Sequence, residues 1–293
     1  MSDILLAGAK GQLGIEVERA VREAGISLAA FDRSSLDITD RAAVMAVVRA
    51  SGARVVVNAA AYTAVDKAES EREAAFAVNR DGAAHLAEAA ADAGAAIIHV
   101  STDYVFDGSK TGAYGEDDAV APLGVYGESK LAGEAAVHRL CGEHVILRTA
   151  WVYSRHGQNF VKTMLRLARE RDALRIVADQ KGSPTAAGDI ADAIVAIARL
   201  HLAGAMPTGG FGTFHAAGGG VTSWCDFARE IFRLSKPFLP RVPTVTPITT
   251  ADYPTPARRP ANSQLDCAKL KAVHGIALRP WQAALADVLR EPL

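Results

Sequence analysis

The chain has 293 residues, of which 49% are apolar and 22% are charged, and its formal net charge is −1. These values are typical of globular proteins, so they disfavour a disordered or collagen-like chain and do not indicate a nucleic-acid or anionic-membrane partner. The three cysteines have no CxxC spacing, which disfavours a disulfide framework or a zinc site and fits a reducing compartment, so we expect a cytoplasmic protein.

Short apolar runs alternate with segments of helical periodicity through the first half of the chain. The predicted strands are 4–7, 27–31, 54–57, 96–100 and 144–148, and the helices between them are 12–24, 41–50, 71–93 and 125–140. Continuous apolar strands are typical of a sheet covered on both faces. Alternation of such strands with helices predicts a parallel, doubly wound α/β sheet of the Rossmann type.

The second half of the chain is less regular. Helical patterns cover 159–171, 187–201, 223–234 and 280–290, and the longest uncharged stretch, 202–225, is too rich in glycine for a membrane span. Prolines cluster between 237 and 260, which indicates extended segments and loops. We predict a dinucleotide-binding domain over 1–150, onto which later helices such as 187–201 pack, and a smaller substrate-binding lobe over 151–293.

Three glycines follow the first strand at the point where the first helix begins. Gly8, Gly11 and Gly14 give the spacing GxxGxxG, which departs from the usual GxGxxG. Their place in the first strand–turn–helix unit is that of a pyrophosphate-binding turn, in which the helix N-terminus offers free N–H groups to the anion. The sequence therefore predicts a dinucleotide site at this turn.

Residues at the ends of the next two strands extend this site. Asp32 follows the second strand and suits the ribose 2′-hydroxyl of NAD, whereas the adjacent Arg33 suits the 2′-phosphate of NADP, so the choice between NADPH and NADH stays open. Asp37 and Ile38 are expected to bracket the adenine. The small residues after Asn58, which are Ala59, Ala60 and Ala61, leave room for the cofactor against the backbone.

A Tyr-x-x-x-Lys motif begins the helix predicted after the fourth strand. Tyr126 and Lys130 are four residues apart and therefore share one face of that helix. A nearby ammonium group is expected to lower the pKa of the phenol, which would make Tyr126 the general acid of a carbonyl reduction. The Thr102 hydroxyl, at the end of the preceding strand, is expected to hold the substrate oxygen beside Tyr126.

The motifs together resemble a known family. The glycine turn, Asn58–Ala61, the Ser-Thr-Asp that begins at Ser101, and the Tyr126/Lys130 pair are similar to the extended short-chain dehydrogenase/reductases that act on nucleotide sugars. Within that family the chain resembles the reductases of dTDP-4-dehydro-L-rhamnose. The more specific matching segments are 64–69, 101–108, 148–153, 179–185 and 253–260. This resemblance covers essentially the whole chain.

The resemblance implies hydride transfer from NAD(P)H to the C4 carbonyl of the sugar, with Tyr126 as proton donor. Lys130 would tune Tyr126 and hold the nicotinamide ribose, and Thr102 would bind the reacting oxygen. The resemblance adds Gln12 and Leu13 to the cofactor residues. It places Asp103, Tyr104 and Trp151 in the sugar pocket, and the sequence offers Arg259 for the substrate diphosphate because arginine binds phosphate oxygens in pairs.

Two other readings of the same residues remain open at this point. Non-catalytic NADP-binding regulatory subunits, such as that of methionine adenosyltransferase, share the fold. Other nucleotide-sugar reductases, epimerases and dehydratases share the motifs. Dehydratases have Thr-Asp-Glu where this chain has Thr102-Asp103-Tyr104. No ligand spacing indicates a catalytic metal. The resemblance leaves open both a homodimer and a Mg²⁺ ion at a dimer contact.

Overall fold

The computed structural model describes residues 2–290 and has a parallel sheet at its centre. Over the described residues this sheet has six strands. In spatial order they are β2 (Leu28–Phe31), β1 (Ile4–Ala7), β3 (Val55–Asn58), β4 (Ala96–Thr102), β5 (His144–Thr149) and β10 (Gly212–His215). All neighbouring pairs are parallel, so the carboxyl ends of the strands lie at one edge. The Rossmann-type fold predicted from the sequence is confirmed.

Helices cover both faces of this sheet. One face packs against α1 (Gln12–Glu23) and α8 (Ala187–Leu202), whose Val17 and Ile194 are fully buried in one cluster with the strands. The other face packs against α2 (Arg41–Ser51), α5 (Ala83–Asp92) and α6 (Val125–Leu140). Burial on both faces explains why the strands are continuous apolar runs instead of alternating ones.

The long helix predicted over 71–93 is interrupted. It consists of α4 (Arg72–Phe76), a π-helical turn over 77–82, and α5. Two contacts accompany the turn: Gly82 lies directly against the Ile38 side chain, and Asn79 donates a hydrogen bond to the Ser129 hydroxyl at 3.0 Å. Single π turns often occur at functional sites. Here the turn connects α6 to the loop after β3, because the Asn79 amide also bonds the backbone of Tyr62.

The rest of the chain forms a smaller lobe with its own buried cluster. That cluster packs α7 (Phe160–Glu170), α9 (Trp224–Ser235) and α11 (Trp281–Val288) against the parallel pair β7 (Ala173–Val177) and β12 (Thr244–Ile248).

The remaining strands and α-helices of the described residues are short. They are α3 (Val65–Ala68), β6 (Val152–Tyr153), β8 (Lys181–Gly182), β9 (Thr185–Ala186), β11 (Thr222–Ser223), β13 (Asn262–Ser263) and α10 (Ala268–His274).

The sheet extends beyond the expected boundary at residue 150. Strand β10 comes from the second half of the chain and pairs with β5 at the end of the sheet, with Gly212 opposite Val145. Leu270 of α10 is buried in the same cluster as α1 and α8. Elements of the sheet domain and of the smaller lobe therefore alternate along the second half of the chain. Within residues 2–290, no helix is both long and apolar enough to cross a membrane.

Candidate active site

The glycine turn lies against the loop after β3 with no room for side chains. Gly8 has a φ of +90°, and a Cβ atom there would lie 2.6 Å from the backbone nitrogen of Ala60. A Cβ atom at Gly14 would overlap the carbonyl oxygen of Gly8. Gly11 is the N-cap of α1 and has no side chain with which to cap the first N–H groups. This geometry fits a dinucleotide pyrophosphate at the start of α1.

The two residues expected to select the cofactor have different surroundings. The Asp32 carboxylate is bound by the Lys10 ammonium and by the Ser34 and Ser35 side chains, and these contacts hold its pKa well below the usual range. Arg33, beside it, is exposed. Because the Lys10 ammonium offsets the negative charge of Asp32, the repulsion between Asp32 and a 2′-phosphate is weaker than the sequence alone indicated.

The other expected cofactor residues lie around the same turn. Ala59, Ala60 and Ala61 follow β3 and are half-buried, whereas the side chains of Leu13 and Ile38 are buried in the two sheet clusters. The Asp37 carboxylate accepts hydrogen bonds from the backbone and hydroxyl of Thr39. Gln12 reaches the lobe, where its amide donates to the Val152 carbonyl at 3.4 Å and accepts from Asn159 at 3.3 Å.

Thr102, Tyr126 and Lys130 meet at the carboxyl end of β4. Thr102 ends that strand and is 5% exposed, and α6 carries the other two residues across from it. The Thr102 hydroxyl donates to the Asp103 carboxylate at 3.0 Å and accepts the Tyr104 N–H at 3.2 Å. The Lys130 ammonium donates to the Val100 carbonyl at 2.7 Å. These residues therefore lie together at the end of the strand, as a reaction centre requires.

A buried ion pair fixes α6 against the sheet beside these residues. The Arg148 guanidinium of β5 binds the Glu134 carboxylate of α6 through two nitrogens, at 3.0 and 2.7 Å, and Ser101 donates to the same carboxylate at 2.5 Å. Both charged side chains are less than 10% exposed, at 7% for Arg148 and 6% for Glu134. A two-point contact of this kind restrains the rotation of α6 and hence the direction of Tyr126.

The expectation that Lys130 lowers the pKa of Tyr126 is wrong for this structure. Burial raises the pKa of Tyr126 to about 12, and a hydrogen bond with Thr102 lowers it only in part. Burial also lowers the pKa of Lys130 to about 8, against the opposing charge of Glu134. Tyr126 is consequently a fully protonated phenol at neutral pH, which suits a proton donor, and the lysine is the group that titrates near that pH.

The residues expected to contact the sugar surround this centre. The Tyr104 ring lies edge-on to the Tyr126 ring, with centroids 5.4 Å apart. Asp103 is buried, and burial raises its pKa to about 6 although hydrogen bonds to Ser263 and Thr102 oppose the shift. Ser263 comes from β13 of the lobe, so this contact joins the lobe to the end of β4.

Trp151 has a strained backbone and a closely packed ring. Its φ is +49°, in the left-handed region that costs a non-glycine residue roughly 1–2 kcal/mol. The ring stacks on Trp224 of α9, with centroids 3.5 Å apart and planes 10° apart. On the other side it lies so close to Gly182 that a Cβ atom there would be 2.5 Å from the indole. Trp151 and Trp224 therefore pack on each other.

Arg259 borders a cavity of the lobe. Its guanidinium binds the Asp66 carboxylate at 2.8 Å and the Thr255 hydroxyl, and its side chain is 24% exposed. The cavity measures about 690 Å³ and is lined mostly by apolar groups of α7, β7 and α9, including Phe160, Met164 and Trp224. A pocket of this size with an arginine at its border suits a ligand that has both a ring and a phosphate.

Comparison with known proteins agrees with this arrangement. The sequence profile of the RmlD substrate binding domain family matches residues 1–293. The chain belongs to this family. A dTDP-4-dehydrorhamnose reductase from Aggregatibacter actinomycetemcomitans is 47% identical over 291 residues, which are 98% of each chain.

Two solved structures of reductases of the RmlD family have the same fold over their whole length. The dTDP-4-dehydrorhamnose reductase of Clostridium acetobutylicum superimposes with a TM-score of 0.91 at 39% identity and 98% coverage of both chains. That of Bacillus anthracis, determined in complex with NADP, gives a TM-score of 0.91 at 35% identity and full coverage of both. The protein is accordingly an oxidoreductase of this family.

Several contacts of the site were not found from the sequence. Lys10 lies within the glycine turn, yet its pairing with Asp32 depends on the crossing from β1 to β2. Asp66 belongs to a matching segment, but its partner Arg259 is nearly two hundred residues away in the chain. Among residues 2–290, no cluster of three or more His, Cys, Asp or Glu side chains could hold a metal ion.

Proposed function

We propose that this chain reduces the C4 keto group of dTDP-4-dehydro-L-rhamnose to give dTDP-L-rhamnose, with NADPH as the hydride donor. The observation that carries the proposal is the meeting of the buried Thr102 and Lys130 with the half-buried Tyr126 at the end of β4, in a chain of the RmlD family. NADPH, when bound along the glycine turn, supplies the hydride. The close approach of Gly8 to Ala60 supports binding there because it keeps side chains out of the turn.

Tyr126 donates the proton that completes the reduction. Its phenol remains protonated at neutral pH because burial raises its pKa, so the proton is available when negative charge develops on the sugar oxygen. The Thr102 hydroxyl, held by Asp103 and by the Tyr104 N–H, lies beside that phenol and orients the same oxygen. Asp103 also offers a buried carboxylate to the sugar.

Lys130 restores the proton of Tyr126. Its nitrogen is fixed by the Val100 carbonyl, one helical turn from the phenol, and it can lose a proton near neutral pH because burial lowers its pKa to about 8. In the proposed cycle the ammonium gives a proton to the phenolate, and the resulting amine recovers one from solvent. Lys130 is also proposed to hold the nicotinamide ribose.

The lobe is proposed to bind the nucleotide half of the substrate. Trp151 forms a rigid wall because it is held between Trp224 and Gly182, and Arg259 supplies a cation at the border of the cavity. Asp66 orients that guanidinium, which leaves its remaining N–H groups for phosphate oxygens.

The alternative activities are less well supported. A dehydratase of this superfamily requires a glutamate base after Thr-Asp, and this chain has Tyr104, whose pKa burial raises far above the working range. A non-catalytic binder has no need for a buried lysine one helical turn from a phenol. An epimerase returns the hydride to the same sugar, so it retains its cofactor through the cycle, whereas a reductase releases NADP⁺ at every turnover.

The decisive experiment is the stoichiometry of the reaction. Purified protein is given enzymatically generated dTDP-4-dehydro-6-deoxy sugar and NADPH labelled with deuterium at the transferable C4 position. We expect one NADP⁺ per sugar reduced and the label at sugar C4. Turnover of the sugar without net loss of NADPH, or purification with stoichiometric NAD⁺, would contradict the proposed reductase activity and favour an epimerase.

Localisation and assembly complete the proposal. The three cysteines Cys141, Cys225 and Cys267 are free thiols, which supports a reducing, cytoplasmic environment. The homodimer stays a prediction, and the mass of the protein in solution measures it directly.

A further inference from the structure

A buried histidine lies behind the lysine of the reaction centre. His99 is in the middle of β4, is 1% exposed, and pairs in register with Asn58 of β3. Its Nδ1 lies 3.0 Å from the Asn58 side-chain nitrogen, and its Nε2 lies 3.5 Å from the Lys130 ammonium nitrogen. The His99 ring therefore connects β3, the strand before Ala59–Ala61, to Lys130.

The hydrogen bonds of Asn58 decide where the proton of His99 lies. The side-chain oxygen of Asn58 accepts the Ala60 N–H at 3.1 Å, so its NH₂ group must face the histidine ring. An NH₂ group can only donate, so Nδ1 of His99 accepts and the proton of the neutral ring is on Nε2. Burial and the charge of Lys130 hold the pKa of His99 well below its usual range, so the ring stays neutral.

This tautomer directs an N–H group at the Lys130 nitrogen. An ammonium group has no lone pair with which to accept that hydrogen, whereas a neutral amine has one. The contact therefore favours the neutral lysine over the charged one. Several charged and titratable groups surround Lys130. They are His99 on β4, Asp103 immediately after β4, Tyr126 and Glu134 on α6, and Arg148, which is bound to Glu134.

We propose that His99, oriented by Asn58, is a positioning residue for Lys130: it fixes the lysine nitrogen at the Val100 carbonyl and favours release of a proton from it. The proposal rests on the proposed function, in which Lys130 reprotonates Tyr126 after each hydride transfer. The proton balance is complete within that cycle. Tyr126 gives one proton to the sugar oxygen, the Lys130 ammonium gives one to Tyr126, and the amine, while it exists, accepts the His99 N–H.

The first test compares two substitutions of His99 with a matched control. His99→Phe keeps a ring but removes the N–H, and His99→Gln keeps an N–H at the Nε2 position. His144→Phe replaces a histidine of β5 that is 5% exposed and bonds the Cys141 carbonyl, away from Lys130. We expect His99→Phe to lower kcat about 10-fold with the sugar KM within about 2-fold, and to move the alkaline limb of the kcat profile upward by about one pH unit.

The direction of the shift follows from the hydrogen bond. Without the His99 N–H the amine loses its partner, so the lysine keeps its proton to higher pH. In His99→Gln, the alkaline limb of the kcat profile is expected to stay at its wild-type pH. In His144→Phe, both this limb and the value of kcat are expected to match the wild type. A wild-type limb in His99→Phe overturns the proposal, because a purely structural role would lower stability or rate without moving the pH dependence.

A second readout does not depend on activity. In protein labelled with [ε-¹³C]lysine and free of cofactor, the Lys130 resonance is assigned by its loss in Lys130→Met. We expect its titration midpoint at about 8 in the wild type and about one unit higher in His99→Phe. An unchanged midpoint overturns the proposal. Absence of NADPH oxidation by the wild type would instead overturn the proposed function while this titration still tests His99.

A variant that leaves His99 in place covers the case in which His99→Phe does not fold. Asn58→Leu removes the donor that fixes the tautomer, so the proton can move to Nδ1 and Nε2 can accept from the ammonium. The Lys130 midpoint is then expected to rise as well. A midpoint that stays at the wild-type value in folded Asn58→Leu overturns the role assigned to Asn58 and His99.

Discussion

The active site has one wall formed by the central sheet and α6, here the sheet wall, and one formed by the smaller lobe, here the lobe wall. The two walls hold their side chains differently. On the sheet wall, Thr102 and Lys130 are buried and fixed by short contacts within one β–α unit. On the lobe wall, Trp151, Trp224 and Arg259 come from distant segments and remain partly exposed. Proton transfer tolerates little displacement, whereas recognition of a large ligand can be spread over many weaker contacts. The sheet wall should therefore control kcat, and the lobe wall should control KM.

The largest expected effect is on the sheet wall, from Tyr126→Phe. Removal of the proton donor should lower kcat by roughly 10²–10⁴-fold while the ring still packs and NADPH still binds. The measurements are steady-state kinetics and a direct titration with NADPH. Tyr153→Phe is the control, since Tyr153 is a more deeply buried phenol that bonds the Trp281 carbonyl inside the lobe. A near-wild-type rate in Tyr126→Phe would mean that another group supplies the proton.

Arg259→Ala tests the lobe wall. Loss of a charge-assisted contact to the diphosphate should raise the sugar KM by about 10- to 100-fold, with kcat nearly unchanged. Arg258→Ala is the matched control, because Arg258 is the adjacent arginine and is exposed. If Arg259→Ala lowers kcat as strongly as it raises KM, the division between the two walls does not hold.

The smallest expected effect concerns cofactor choice at the outer edge of the sheet wall. Arg33→Ala should weaken NADPH binding by about 5-fold and leave NADH binding unchanged, because an exposed pair with the 2′-phosphate is screened by solvent. Arg22→Ala, which removes an exposed arginine from α1, should change neither. Titrations of both cofactors without substrate provide the comparison. Equal losses for the two cofactors in Arg33→Ala would assign Arg33 to the surface only.

The local parts of this site could be predicted from the sequence. The periodicity located β1, α1, β4 and α6 to within two residues at each end, because each element has its apolar pattern within itself. The interruption at 77–82 could not be predicted, since an alanine-rich helix and a π turn have the same pattern. The turn is accompanied by contacts with Ile38 and Ser129, which are distant in the sequence.

The electrostatics of the site depended on contacts between distant segments. Motif spacing placed Tyr126 and Lys130 on one face but gave no measure of their burial, and burial reverses the expected direction of the Tyr126 pKa shift. The pairs Lys10–Asp32 and Asp66–Arg259 likewise form only when the chain has folded. A linear sequence identifies which groups carry charge, whereas the fold decides which of them neutralise one another.

The late arrival of β10 has a consequence for synthesis of the protein. Until residues 212–215 have left the ribosome, β5 is the terminal strand of the sheet, and the N–H and C=O groups of its outer edge have no partner. Unpaired strand edges invite pairing with other nascent chains. A fragment that stops at residue 150 should accordingly aggregate instead of forming an independent nucleotide-binding domain. Most of the polypeptide must therefore be synthesised before β5 gains its second partner, and a split of the chain at residue 150 would leave that edge open.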